Sequence, residues 1–181
     1  MQLIGYHGTS EDGCKGILRD KRFKCSTGNS QWLGDGVYFF QDDRHQAYMF
    51  FKNKFGMQNV RRHEEIHVLK ANIQAEDDNV IDLVTDEGRR QIDDFKRTFE
   101  QNFGNKVIHQ LTDTALLNLL YKSVPYDLVR AVYDVPSKNK KNKKNKKWEH
   151  HYRRAQIQIC VKNQDCINFD SLKEVCCDDF R

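Results

Sequence analysis

Two stretches decide the fold of this chain: Tyr6-His7-Gly8-Thr9 and Leu33-Gly34-Asp35-Gly36-Val37-Tyr38-Phe39-Phe40. Each reads as a short apolar strand that carries one polar ring beside a glycine. If the two strands pair in one sheet, they form a narrow slot with His7 on one wall and Tyr38 on the other. A flat ligand fits this slot with its edge against the backbone of Gly8, because glycine has no side chain to block the approach. We therefore expect the rest of the chain either to hold the slot in place or to lie at its opening.

The apolar pattern along the chain predicts strands toward both ends and helices between them. The capping residue types Thr9 and Ser10 precede a helix expected over about 11–20. A second helix is expected to end at Gly56, and a third to span 86–103 before Gly104. Their apolar stripes are Ala47, Phe50, Phe51 and Phe55, and Ile92, Phe95, Phe99 and Phe103.

A more buried helix is expected over 113–121, and residues 128–135 fit either a strand or a helix. Strands are expected at 3–9, 37–40, 65–73 and 156–161, with shorter ones near 80–83 and Ile167. Strands at both ends with helices between them indicate an α+β domain.

Length and composition indicate one folded domain over residues 1–181, with 38% hydrophobic residues. No apolar run approaches the ~18 residues that a membrane-spanning helix needs. The first five residues lack the basic region and the apolar stretch of a secretion signal. We therefore expect a cytoplasmic protein without a membrane partner.

The cysteines predict free and mostly buried thiols, and no metal centre is expected. None forms a Cys-x-x-Cys pair, and no histidine lies near them at zinc-finger spacing. The pairs His63/His67 and His150/His151 lack a third ligand type at useful spacing. The six cysteines are Cys14, Cys25, Cys160, Cys166, Cys176 and Cys177.

The net charge of +4 comes from one lysine and asparagine run late in the chain, which predicts an exposed basic loop at about 137–150. Basic residues beside stackable rings suit single-stranded nucleic acid, and a plain solubilising loop is the alternative. The candidate nucleic-acid-binding residues are Lys140, Lys141, Lys143, Lys144, Lys146, Lys147, Trp148, Arg153 and Arg154.

The two opening motifs resemble the first two signatures of the ADP-ribosyltransferase superfamily, in its poly(ADP-ribose) polymerase-like His-Tyr-Glu branch. The motifs are His7-Gly8-Thr9, with the helix after it, and Gly34-Asp35-Gly36-Val37-Tyr38-Phe39. Ala47 and Tyr48 resemble the Ala and Tyr of the family's next helix, one residue out of register. The strand 156–161 and the segment up to Ile167 look like the family's closing strand pair. Residues 74–150 match nothing in the pattern.

The resemblance implies two small, mostly antiparallel sheets with flanking helices, and NAD as the ADP-ribose donor. It places the nicotinamide in the slot, with its carboxamide on the Gly8 backbone and its ring on Tyr38. A pyridinium stacked on that ring gains roughly 0.5–2 kcal/mol from the cation–π contact. His7 is expected to hydrogen-bond a ribose hydroxyl. The residues that the resemblance assigns to NAD binding are His7, Gly8, Thr9, Gly36, Tyr38, Phe39 and Tyr48.

The chain departs from the family pattern at the catalytic acid. Cleavage of the nicotinamide–ribose bond passes through an oxocarbenium-like state that a carboxylate stabilises. Gln156 and Gln158 occupy the two candidate positions for that acid, and an amide carries no charge. Three interpretations stay open: a weaker or substrate-assisted transferase, a pseudo-enzyme, or an acid-to-amide substitution carried by this chain. The candidate catalytic residues are Gln156, Gln158, His7 and Tyr38.

The expected function is transfer of ADP-ribose from NAD to a macromolecule, with RNA or single-stranded DNA as the preferred acceptor. The basic run immediately precedes the strand of Gln156, where it is placed to steer a polyanion to the bond being cleaved. By analogy, a small transferase of this kind suits a toxin or defence effector, with an antitoxin protein as a candidate partner. The alternatives are a protein mono-ADP-ribosyltransferase, a catalytically impaired NAD- or ADP-ribose-binding module, and an RNA 2′-phosphotransferase.

Overall fold

The computed structural model describes residues 1–28, 31–57, 65–108, 110–134 and 155–175. Its strands are β1 (Gln2–Ser10), β2 (Val37–Gln41), β3 (Ile66–Gln74), β4 (Val80–Asp82), β5 (Leu128–Asp134), β6 (Ala155–Val161) and β7 (Ile167–Val175). Its helices are α1 (Glu11–Asp20), α2 (Arg44–Met57), α3 (Asp86–Phe103), the short α4 (Asn105–Ile108) and α5 (Asp113–Ser123). The α+β class is therefore confirmed.

Within the described ranges, the strands form one mixed seven-stranded sheet in the order β4-β5-β6-β2-β1-β3-β7. All neighbours are antiparallel except β4 and β5. The expected division into two small sheets is corrected, because β1 and β2 join the two halves. That join consists of the pairs Gly5–Gln41 and Tyr6–Phe40 alone among the described residues. The centre of the sheet is thus its most weakly paired position.

Local chemistry accounts for the helix ends. Ser10 caps α1 by accepting a hydrogen bond from Gly13 N at 3.2 Å, and acidic residues follow in the first turn. Thr85 caps α3 in the same way, and Gly104 follows its end. The predicted helices over 11–20 and 86–103 are confirmed. The undecided segment 128–135 forms β5, because it pairs with β6 over seven residues.

Helices cover both faces of the sheet and close two main cores. Helix α1 packs on the face that carries Phe39, Leu69 and Ile159. Helices α3 and α5 cover the opposite face of β5 and β6, where Val129 and Cys160 lie. Helix α2 covers the same side of β1 and β2 through Ala47 and Tyr48, beside Phe40 and Val68. The weak central join therefore lies beneath α2 on one face and beside α1 on the other.

Candidate functional site

The strands β1 and β2 part beside His7, and the histidine bridges the gap. The ladder between them ends at Tyr6–Phe40. Beyond that point, His7 Nδ1 lies 2.7 Å from the carbonyl oxygen of Tyr38. Since a carbonyl only accepts, Nδ1 carries the proton and donates, which leaves Nε2 with a lone pair in the neutral ring. Burial lowers the pKa of His7 below its ordinary 6.5, so the ring is neutral at neutral pH.

The backbone of Gly8 faces this gap. The carbonyl of Ile4 accepts from Asp42 N, so it points toward the β2 side of β1. The pairing of β1 with β3 runs from Gln2 to Ser10 without a register shift. Backbone groups of alternate residues point to the same side of a regular strand. The N–H and C=O of Gly8 therefore point toward β2, just past the end of the ladder.

Helix α2 lies directly against the α-carbon of Gly8. A β-carbon at this position would clash with the carbonyl oxygen of Ala47 and lie 3.0 Å from Phe51 Cβ. The glycine is therefore required for the close approach of α2, independently of any ligand.

The hydroxyl of Tyr38 is tied to the turn before its own strand. It donates to the carbonyl oxygen of Gly34 at 2.7 Å and accepts from Leu33 N at 2.9 Å. Burial raises the pKa of Tyr38 far above its ordinary value, so the hydroxyl remains protonated. Two side chains fix the same turn: Lys162 Nζ donates to Asp35 O at 2.6 Å, and Asn118 Oδ1 accepts from Asp35 N at 2.8 Å. The Tyr38 ring is thus held in one orientation.

The two glycines of this turn are each required for a different structural reason. Gly34 adopts a φ of 77°, and a β-carbon on it would clash with Asn118 Oδ1 and Lys162 Nζ. A β-carbon on Gly36 would lie 2.6 Å from both Cys160 Sγ and Val161 O. Gly36, assigned to NAD binding by resemblance, therefore lets the turn pack against β6.

Gln156 and Gln158 lie on the face of the sheet that carries Tyr38. Gln158 pairs with Phe40, and Cys160 pairs with Tyr38, so the alternate residues of β6 share that face. Gln158 is only 4% exposed, and its Nε2 has no hydrogen-bond partner among the described residues. The two amides and the His7 ring approach the gap from opposite faces, since His7 packs on Phe23 and Phe39.

Three other residues assigned to NAD binding lie in the core around the gap. Thr9 is buried where Gly13 of α1 approaches it closely. Phe39 is fully buried, with its ring centre 5.2 Å from that of Phe23. Tyr48 belongs to α2 and is buried between that helix and the sheet, beside Phe40 and Val68. The structure thus brings the His7 ring, the Gly8 backbone and the Tyr38 carbonyl together at the gap, with the Tyr38 ring on the other face of the sheet from His7. Thr9, Phe39 and Tyr48 lie in the core around the gap.

The residues proposed to bind nucleic acid lie outside the described residues: Lys140, Lys141, Lys143, Lys144, Lys146, Lys147, Trp148, Arg153 and Arg154. What the structure does define is the strand that follows the run, because β6 begins at Ala155 and carries Gln156.

An aromatic pocket beside Gln156 was not predicted from the sequence. The ring centres of Trp32 and Tyr133 lie 4.8 Å apart, and Trp32 is 48% exposed. They line a cavity of about 400 Å³ whose walls also include Arg89 and Lys96. Tyr133 is paired directly with Gln156 across β5 and β6. Only the register of those strands shows this proximity, so no local sequence signal reveals the pocket.

Comparison with known proteins adds one distant relative. The chain is 26% identical over 185 aligned positions to an uncharacterized protein of Methanocaldococcus jannaschii, covering 92% of this chain and 85% of that protein. No family model matches the sequence. No solved structure matches it either. None of the helices in the described part of the chain is long and apolar enough to span a membrane.

Proposed function

We propose that the gap between β1 and β2 binds the nicotinamide half of NAD, and that the chain transfers ADP-ribose from NAD to a nucleic acid. The observation that carries this proposal is the parting of the two strands beside Gly8. It leaves a backbone N–H and C=O facing a gap next to His7. A primary carboxamide offers one acceptor and two donors, which such a strand segment satisfies with two hydrogen bonds.

His7 and Tyr38 supply the remaining contacts to the nicotinamide riboside. The bond from His7 Nδ1 to Tyr38 O fixes the imidazole, so Nε2 accepts a hydrogen bond from a ribose hydroxyl. The tethered ring of Tyr38 provides a flat surface for the pyridinium, worth roughly 0.5–2 kcal/mol. Both groups are held before the ligand arrives, which lowers the entropic cost of binding.

The reaction breaks the bond between ribose C1′ and the nicotinamide nitrogen. Nicotinamide leaves as a neutral molecule, a nucleophilic oxygen or nitrogen of the acceptor bonds to C1′, and the acceptor releases its proton to solvent. Gln158 orients a ribose hydroxyl through its buried amide but brings no negative charge to the developing cation. We therefore expect slow turnover relative to a chain with a carboxylate at this position.

A nucleic acid is the favoured acceptor because a stacking surface lies beside Gln156. The pocket of Trp32 and Tyr133 exposes aromatic area, and base–aromatic stacking contributes about 1–3 kcal/mol per base. Arg89 and Lys96 bring basic groups to the same pocket, and Asp93 and Asp113 bring two carboxylates, so the charges of its walls balance. The lysine run precedes the same strand in the sequence. These features together suit an unpaired base on a polyanionic chain.

The second candidate is a module that binds NAD or ADP-ribose without catalysis. The amides at 156 and 158 favour it, since neither stabilises a cationic transition state by charge. This candidate shares the same gap and the same contacts to nicotinamide. It differs only in that no bond to C1′ is broken.

Incubation with NAD labelled in the ADP-ribose part separates these functions. The chain is mixed with separate pools of RNA, single-stranded DNA and protein, and released nicotinamide is measured in parallel. We expect label in a nucleic-acid pool, with equimolar nicotinamide. Label in the protein pool alone would contradict the proposed acceptor. NAD binding by calorimetry without nicotinamide release would establish the binding module, and absence of binding would refute both.

A further inference from the structure

A thiol, an imidazole and a carboxylate meet on the edge of the sheet, away from the β1–β2 gap. Cys14 Sγ lies 3.8 Å from Glu174 Oε2, and His67 Nδ1 lies 2.6 Å from Glu174 Oε1. One ligand atom from each residue lies within 4.8 Å of the other two. We refer to Cys14, His67 and Glu174 as the thiol–imidazole cluster.

Three separate elements bring the cluster together. Cys14 comes from α1, His67 from β3 and Glu174 from β7. Glu174 pairs with Leu69, which is two residues beyond His67 on the same face of β3. Cys14 and Glu174 are 160 positions apart in the sequence, and His67 and Glu174 are 107 apart. Motif spacing therefore predicted no metal at His67, whereas the fold brings a thiol and a carboxylate beside it.

One buried atom of the cluster lacks a partner in the described part of the chain, and the cluster's thiol faces a carboxylate. His67 Nε2 is buried and has no hydrogen-bond partner among the described residues. An unpartnered buried polar atom costs free energy, and coordination of an ion by Nε2 recovers that cost. The Cys14 thiol is 2% exposed and donates to Glu174 Oε2 at 3.8 Å, so the sulfur and the carboxylate already face each other.

We propose that the thiol–imidazole cluster binds one Zn²⁺ through Cys14 Sγ, a ring nitrogen of His67 and the Glu174 carboxylate. Sulfur, nitrogen and oxygen ligands are all typical of zinc, at about 2.3, 2.0 and 2.0–2.2 Å. A tetrahedron with those bond lengths separates its ligand atoms by about 3.3–3.6 Å. The Cys14–Glu174 separation of 3.8 Å is already close to that value. Water reaches the fourth position on the side of Glu174, which is half-exposed.

Binding converts the Cys14 thiol into a zinc thiolate and releases its proton to solvent. The ion then links α1 to the β3 and β7 edge and stabilises the folded state by mass action. This role does not depend on NAD, because none of the three residues lines the gap between β1 and β2.

The test uses a background in which Cys176→Ser and Cys177→Ser remove two thiols that lie outside the described residues. Zinc per chain is measured by elemental analysis after dialysis, and affinity by competition with a chromophoric chelator. Cobalt(II) in place of zinc reports a thiolate ligand through its charge-transfer band. We expect one zinc per chain, a cobalt–thiolate band, and a higher melting temperature with zinc.

Ligand variants decide the assignment. Cys14→Ser and Glu174→Gln are each expected to weaken zinc binding at least about tenfold, and Cys14→Ser to abolish the cobalt–thiolate band. Cys25→Ser is the matched control, since that thiol is exposed and lies outside the cluster. Glu174→Gln changes a half-exposed side chain, so it is expected to remain folded by circular dichroism. Less than half a zinc per chain in the background protein, or unchanged affinity in both ligand variants, would overturn the proposal.

Discussion

The Nδ1 atom of His7 lies 2.7 Å from the carbonyl oxygen of Tyr38, and this hydrogen bond replaces the backbone pairing that β1 and β2 lack at this point. One imidazole thereby does two things. It satisfies a carbonyl at the end of a broken ladder, and it fixes the tautomer that leaves Nε2 as an acceptor. The hydrogen bond to Tyr38 requires a proton on Nδ1, which the protonated ring also carries. The acceptor role of Nε2 requires the neutral ring.

The first prediction concerns stability at mildly acidic pH. Burial lowers the pKa of His7 in the folded state below the value of 6.5 in the unfolded chain. As the pH falls below 6.5, the unfolded chain takes up a proton that the folded chain does not, so the free energy of unfolding falls. The fall ends once the pH is below the folded-state pKa. Urea unfolding measured from pH 8 to pH 5 tests this.

The control for that experiment is His7→Phe, which keeps a ring against Phe23 and Phe39 but cannot titrate. Its free energy of unfolding is expected to depend less on pH over the same interval. An equal pH dependence in both proteins would show that other groups are responsible.

The second prediction concerns the contact between α2 and β1. Gly8→Ala is expected to lower the free energy of unfolding by about 1–3 kcal/mol, because its β-carbon overlaps the backbone of Ala47, which cannot rotate away. Gly16→Ala is the matched control within α1. A β-carbon there meets nothing within 4 Å, and alanine is the better helix former by about 1 kcal/mol. A stable Gly8→Ala protein would mean that α2 lies further from β1 than the structure places it.

The sequence predicted α1 and α3 well, because a helix start is set by residues that are neighbours in the sequence. Ser10 and Thr85 are side-chain caps that precede acidic first turns, and both helices begin at the next residue. The segment that became β5 had no decisive local signal. Its apolar residues fit both the helical period and the strand period, and pairing with β6 makes the segment a strand.

Features that depend on register were not predicted. The two opening motifs suggested that β1 pairs with β2, but no composition or period specifies the register of that pairing or its extent of two pairs among the described residues. The ring contact of Trp32 with Tyr133 and the contact of Cys14 with Glu174 also depend on distant strands. The proposed roles of His7, Gly8 and Tyr38 in binding NAD stay predictions, although the fold brings the His7 ring, the Gly8 backbone and the Tyr38 carbonyl to one gap.

The third prediction addresses the missing acid. A carboxylate near the ribose stabilises an oxocarbenium-like state, and one electrostatic contact of this kind is worth about 10²–10³ in turnover. Gln158→Glu is therefore expected to raise nicotinamide release from NAD by roughly that factor. Gln156→Glu serves as the comparison, since it lies two residues away on the same face. If neither substitution raises release, the amides are not replacements for an acid, and the binding module is favoured.

The fourth prediction tests the aromatic pocket. Trp32→Ala is expected to weaken binding of a short single-stranded oligonucleotide by about 5- to 150-fold, which corresponds to the loss of one stacked base. Phe103→Ala is the control, because Phe103 is 67% exposed but ends α3, about two helical turns beyond Lys96 of the pocket wall. Fluorescence anisotropy measures both. Equal losses in the two variants would exclude a specific role for Trp32.

The last prediction concerns the lysine run, through the salt dependence of oligonucleotide binding. Each phosphate that a lysine neutralises on a single strand adds about 0.7 to the fall of log affinity with log salt. Replacing six of the seven lysines of the run with glutamine should therefore reduce that slope by up to roughly four, and should weaken binding to every sequence alike. Replacing a solvent-exposed lysine of α1, Lys15→Gln, is the control. A solubilising loop predicts the opposite result: an unchanged slope and a protein that precipitates more readily. The replaced residues are Lys140, Lys141, Lys143, Lys144, Lys146 and Lys147.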